Sequence, residues 1–282
     1  MHKPTADVQG DFDRVARAEE ALGQRESPYV RWLAAHLPAR IGEALEIGGG
    51  TGELTRLLAA RASHVLALDL SPEMIRVARE RSAGFSNAEF LVADVTAWEL
   101  PRGRFDCVAS VGTLHHLPLE PTVGAMRDAL RPGGWLLVLD VLAGPGLRHL
   151  PRNVLAALAG RVGPHRTSRE LRAAYREHGR GETYLRPDEV AARFLPLLPG
   201  ARIRDHLLWR YSVVWRKPPG GLDWRGVIVE PSPGTRSCGW TRCASAGLRN
   251  LLPTHRQTCR TSRRSRSRSA GADWRAGSQS PP

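Results

Sequence analysis

Three short stretches hold residues whose type and spacing could do chemistry: "EIGGGTGE" at 46–53, "LDLS" at 68–71 and "TLHHLP" at 113–118. In the first, Gly48, Gly50 and Gly52 separate an apolar run from a helical pattern, the layout of a loop that lets a nucleotide approach the backbone. A dinucleotide loop needs its third glycine where helix meets strand, and Glu53 stands there instead. Glu46 and Glu53 bracket the turn with negative charge, which a pyrophosphate at a helix N-terminus would meet unfavourably. The loop therefore favours a ligand that carries positive charge.

The remaining candidates extend that site. Asp69 closes an apolar run, beside Leu70, and its carboxylate can accept hydrogen bonds from both hydroxyls of a ribose. Asp94 in "LVADVTAW" can accept from an adenine amino group while Val95 packs on the ring, although the same acid could equally cap a turn. His115 and His116 have the near-neutral pKa of a general base, a role worth about 10²–10⁴-fold in rate. Their other reading is a loop shaped around the reacting atoms.

These residues need a scaffold, and the pattern around them supplies one. "EALEIG", "HVLALDL", "AEFLVAD", "FDCVASVG" and "GWLLVLDVL" are near-continuous apolar runs, as a parallel sheet buried on both faces requires. Helical patterns alternate with them: "TGELTRLLAAR", "SPEMIRVARERSA" with Ser71 as N-cap, and "PTVGAMRDALR". Two helices precede the first strand, over "DFDRVARAEEALG" and "SPYVRWLAAHLPARI", the second with Ser27 to cap it. After a further helix, "RPDEVAARFLPLL", the strands "ARIRDHLLW" and "RYSVVWRK" are linked so briefly that they must be antiparallel neighbours. The expected fold is α/β, a doubly wound, mostly parallel, Rossmann-like sheet.

The motifs "ALEIGGGTGELT", "VLALDLSPEMI", "EFLVADVTAW", "FDCVASVGTLHHL" and "ALRPGGWLLVLD" resemble, in order and spacing, those of the class I S-adenosylmethionine-dependent methyltransferases. "HLLWRYSVVWRKP" resembles that family's final antiparallel pair, so the likeness covers residues 25 to 218. It implies a seven-stranded sheet with S-adenosylmethionine at Glu46, Gly48, Gly50, Gly52, Asp69, Leu70, Asp94 and Val95. An ammonium and a sulfonium agree with the acidic bracket. Because a sulfonium is already activated, placement of the acceptor dominates the chemistry. The resemblance assigns His115 and His116 to pocket shaping ahead of base catalysis.

The expected domain spans residues 1–218, with a helical cap insertion at about 144–186 over the cofactor crevice. Arg166, Arg169 and Arg172 in the cap could hold an anionic acceptor but read first as a solvated face. His149, His165 and His178 read as surface residues. The 282 residues carry a net charge of +13, nearly all of it Arg, with Lys only at 3 and 217. Much of the excess follows residue 218, so it is not taken as a nucleic-acid surface. Residues 219–282 are expected to be a disordered Arg/Ser/Pro-rich tail. Cys238, Cys243, His255 and Cys259 there approach a zinc spacing without an apolar pattern to fold around it, and no metal site is expected. Cys107 reads as buried, and the cysteines as a whole suit a reducing cytoplasm. No apolar run reaches the roughly 18 residues of a membrane span. The function expected is methyl transfer to a small-molecule acceptor. An RNA methyltransferase, or a non-catalytic cofactor- or RNA-binding protein, are the alternatives.

Overall fold

The apolar runs read above become one sheet in the computed structural model, which describes residues 3–23, 27–143 and 168–219. Its strands are β1 (Ile41–Ile47), β2 (Ala62–Asp69), β3 (Ala88–Val92), β4 (Phe105–Val111), β5 (Leu130–Val141), β6 (Arg202–His206) and β7 (Arg210–Arg216). They lie in the order β3-β2-β1-β4-β5-β7-β6. The first five run parallel, and β7 is antiparallel to both β5 and β6. The doubly wound, mostly parallel seven-stranded sheet with its antiparallel pair is the fold expected. Strand order reverses at β1, whose neighbours are β2 and β4, so a crevice opens beyond the carboxyl ends of these strands.

The described helices are α1 (Thr5–Glu20), α2 (Pro28–Ala34), α3 (Glu53–Ala59), α4 (Pro72–Arg81), α5 (Leu119–Ala129), α6 (Arg169–His178) and α7 (Pro187–Phe194). Alternate strand residues serve opposite faces. Leu45, Leu66, Val108 and Leu136 pack with α5 and α7 through Val123, Met126, Val190 and Phe194. Ala44, Val65, Cys107 and Leu137 pack with α2 and α3 through Val30, Leu33, Leu54 and Leu58. Each large apolar side chain so buried contributes about 1.5–3 kcal/mol. Cys107 is fully buried, as expected, and burial pushes its thiol pKa far up.

Several boundaries differ from the sequence pattern for identifiable reasons. Helix α1 starts at Thr5, six residues before the pattern shows it, because α4 and α6 pack against it and bury Val8 and Asp11. Helix α2 ends at Ala34, short of the apolar pattern, since Pro38 disfavours helix at the residue before it. Ser71 caps α4 by accepting from Met74 N (3.0 Å). Ser27 does not cap α2 with its side chain; its backbone N–H is taken by the Glu53 carboxylate. Of the cap insertion, residues 144–167 lie outside the described residues, and so do Arg166, His149 and His165. The tail expected after residue 218, with Cys238, Cys243, His255 and Cys259, also lies outside them except for its first residue. Among the described residues, no helix is long and apolar enough to cross a membrane.

Candidate active site

The turn from β1 to α3 forms one wall of a cavity of about 610 Å³ at the carboxyl edge of the sheet. Gly48 and Gly50 take positive φ (77° and 50°), which L side chains adopt only with strain. At Gly48 a Cβ would also collide with the Thr113 side chain from the loop after β4. The turn is tied down from its flank: Gly48 N and Gly49 N both donate to Leu68 O at 2.8 and 2.9 Å. Gly50 N donates to Asp69 Oδ2 (2.8 Å), and Ser71 N donates to Asp69 Oδ1 (2.9 Å). Asp69 thus holds the loop with one lone pair of each oxygen and keeps others for a ligand. Burial raises its pKa to about 6 against the lowering effect of those N–H groups.

Glu46 is almost fully buried and accepts from Thr55 Oγ1 at 2.6 Å. Burial pushes its pKa up to about 8. Burial penalises the charged form, and both Glu46 and Asp69 line the cavity. Open space beside Gly50, acids on either side and a glycine cradle fit a cationic nucleoside ligand. Of the eight residues expected to hold the cofactor, seven line the cavity and Gly52 does not. Gly52 (φ 80°) begins α3, and a Cβ there would press on Arg56 Nη1 (3.0 Å) and Ser82 Oγ (3.1 Å). Its glycine serves packing against α4. Asp94 closes a turn by accepting from Thr96 N (2.9 Å) and Thr96 Oγ1 (2.6 Å), and it faces the cavity as well.

The opposite wall is made of histidines. A 3-10 turn, Leu114–His116, follows β4 and brings His115 to Asp140 near the end of β5. Asp140 Oδ1 lies 2.7 Å from His115 Nδ1, while Oδ2 accepts from the His115 backbone N–H at 3.0 Å. Ring and backbone are held by one buried carboxylate, which fixes the imidazole's orientation. His116 lies with its ring centroid 3.8 Å from that of His115, and its Nδ1 is 3.2 Å from Glu182 Oε2.

His178 overturns its expected surface position. It ends α6, is 5% exposed, and sits 4.7 Å from His116 between ring centroids. The cause is the packing of α6 on α1, which presses Phe12 against both rings (5.4 and 4.6 Å between centroids). Burial lowers the His178 pKa, favouring the neutral ring. Its Nδ1 is 3.4 Å from Asp11 Oδ2, and Lys3 Nζ bonds both Asp11 Oδ2 (3.1 Å) and His178 O. Tyr175 and Tyr184 complete this wall, whereas Arg169 and Arg172 are exposed and do not line it.

Asp140, Glu182, Asp11 and Lys3 were not singled out by sequence, and His178 was read as a surface residue. Only Asp140 carried a signal: an acid inside the apolar run "WLLVLDV" must be hydrogen-bonded or functional. Glu182 and Lys3 lie in polar stretches, while Asp11 and His178 lie on helices α1 and α6, whose period does not by itself mark a polar residue as buried.

The family model of a methyltransferase domain matches residues 44–134. An uncharacterized methyltransferase of Mycobacterium tuberculosis is 33% identical over 200 residues, covering 67% of this chain and 94% of that protein. A malonyl-[acyl-carrier protein] O-methyltransferase of Paenibacillus sp. is 35% identical over 155 residues, covering 49% and 55%. The solved complex of DhpI with SAM and HEP superposes with a TM-score of 0.52 at 27% identity, covering 76% of this chain and 99% of that one.

Proposed function

This chain belongs to the class I S-adenosylmethionine-dependent methyltransferases, and from that premise we propose that its acceptor is a small molecule. The carrying observation is that the glycine turn and the histidine wall line one cavity of about 610 Å³. That volume falls within the roughly 300–1,000 Å³ of small-molecule sites. The DhpI complex, a relative of the same fold, holds SAM and HEP together, and this supports a site built for two ligands. Among the described cap residues, Arg169 and Arg172 are exposed and do not line the cavity.

S-adenosylmethionine supplies a methyl on a cationic sulfur, so that an acceptor electron pair can form the new bond as the C–S pair returns to sulfur. The chain's own task is placement, an effect worth up to about 7–11 kcal/mol. Gly48, Gly50 and Asp69 hold the nucleoside end, and Leu70, Asp94 and Val95 stand where the adenosine is expected. Glu46 and Asp69 give the cation its counter-charge. His115, fixed at ring and backbone by Asp140, orients the acceptor together with His116 and Tyr184. Labelled S-adenosylmethionine offered to metabolite extracts and to total RNA tests this reading against an RNA acceptor. Label recovered in a low-molecular-mass product that survives nuclease supports the proposal. Label confined to nuclease-sensitive material would sink it.

A further inference from the structure

We propose that His115, His116 and His178 bind a divalent transition-metal ion, with a coordination position open to the cavity for an oxygen of the methyl acceptor. One ring nitrogen from each histidine lies within 4.8 Å of the other two, a spacing that modest side-chain rotations convert to a ligand set. What stands behind the rings is more telling. His115 Nδ1 is 2.7 Å from Asp140 Oδ1, His116 Nδ1 is 3.2 Å from Glu182 Oε2, and His178 Nδ1 is 3.4 Å from Asp11 Oδ2. Metal-binding histidines turn their second ring nitrogen to a carboxylate, which fixes the tautomer and strengthens the ligating nitrogen. A general base would need one such carboxylate. Here each of three clustered imidazoles has a carboxylate oxygen within 3.4 Å of its Nδ1, as a hydrogen bond at His115 and as an ion-pair contact at His116 and His178.

Charge points the same way. The Asp11, Asp140 and Glu182 side chains are all at least nine-tenths buried, and Lys3, with Arg14 from the solvent side, offsets only part of their charge. A divalent cation at the histidines neutralises the rest. Imidazole ligands suit zinc, iron, copper or nickel over magnesium, and three protein ligands with an open position describe a catalytic site more than a structural one. The three histidines, Tyr184 and the glycine turn share the cavity, so the open position faces the space where the acceptor belongs. An acceptor hydroxyl polarised there gives its proton to bulk water. Its oxygen pair then forms the C–O bond as the C–S pair returns to sulfur, and the ion's charge is unchanged. This role for the ion rests on the small-molecule reading; binding of the ion does not.

The test uses the full chain, stripped with a chelator and titrated with Co²⁺ and Zn²⁺ by calorimetry and absorption. Cys238, Cys243 and Cys259 would betray themselves by thiolate-to-cobalt charge transfer. The expected result is one Co²⁺ with ligand-field bands and no thiolate band. Affinity should fall by more than about a hundredfold in His178→Ala and about 10–100-fold in Asp140→Asn. S-adenosylmethionine affinity, measured on the same samples, should stay at the wild-type value. If His178→Ala loses it too, the comparison is read from His116→Gln. No binding by the wild type, a thiolate spectrum, or unchanged metal affinity in the variants would overturn the site. Metal binding without any methylated metabolite would overturn the acceptor reading alone, and methylation indifferent to chelation would remove the ion's role.

Discussion

The two walls of the cavity are built on opposite plans. The glycine wall comes from one continuous crossover, β1 to β2, and its key bonds stay within residues 46–71: Gly50 to Asp69, Asp69 to Ser71, Thr55 to Glu46. The histidine wall gathers α1, the turn after β4, the end of β5, α6 and the loop after it, and its bonds span the chain, as from Lys3 to His178. On the proposed reading the first wall holds the cofactor and the second wall the acceptor. A contiguous motif preserves a geometry, whereas a wall of scattered residues can change one contact at a time.

The contrast is sharpened most by Asp69→Ala. It removes a ligand acceptor and the anchor of Gly50 together, so S-adenosylmethionine affinity should fall by roughly a hundredfold or more in calorimetry. Unchanged affinity would break the assignment of this wall. Gly48→Ala should nearly match it, because positive φ and the Thr113 side chain both oppose a Cβ; its melting temperature should fall as well. On the other wall, His115→Asn should lower turnover by less than about a hundredfold, with part of the loss in acceptor KM and none in cofactor affinity. A larger loss confined to kcat, and persisting when the variant is saturated with the metal ion, would make His115 a base instead of an orienting group.

The pH response of the cofactor-free chain separates the walls more gently. Glu46 and Asp69 have folded-state pKa values of about 8 and about 6, above their ordinary 4.5 and 3.8. The folded chain therefore keeps protons that the unfolded chain releases. That stability is fully present below the ordinary values and is lost as pH rises through each window, to about 8 for Glu46. The melting temperature should fall between about pH 5 and pH 8, less steeply in Glu46→Gln and in the presence of S-adenosylmethionine, whose charge favours the ionised acids. A flat profile would show that these carboxyls are not carrying the burial cost. The smallest effect is expected at the C-terminus: a chain ending at Pro218 should melt within about 2 °C of the full chain. A drop of several degrees would mean that the tail packs on the domain.

The sequence by itself determined the sheet and the glycine wall, and the reason is that both are local. Apolar runs of strand length, helical periods and a turn that needs positive φ are properties of consecutive residues. Even Asp69 and Asp94 were legible because strand ends place them. Glu46 and Glu53 could be read as a charge argument about one turn. Only tertiary structure decided that Gly52 faces α4, that α1 begins at Thr5, and that His178 is inside. Polar residues carry no period, and the sense of "REHGRGETY" depends on which surface meets it. Set against α1, that stretch buries His178 and Glu182 beside the "HH" of the β4 turn. Facing water, the same residues would read as an ordinary solvated helix end.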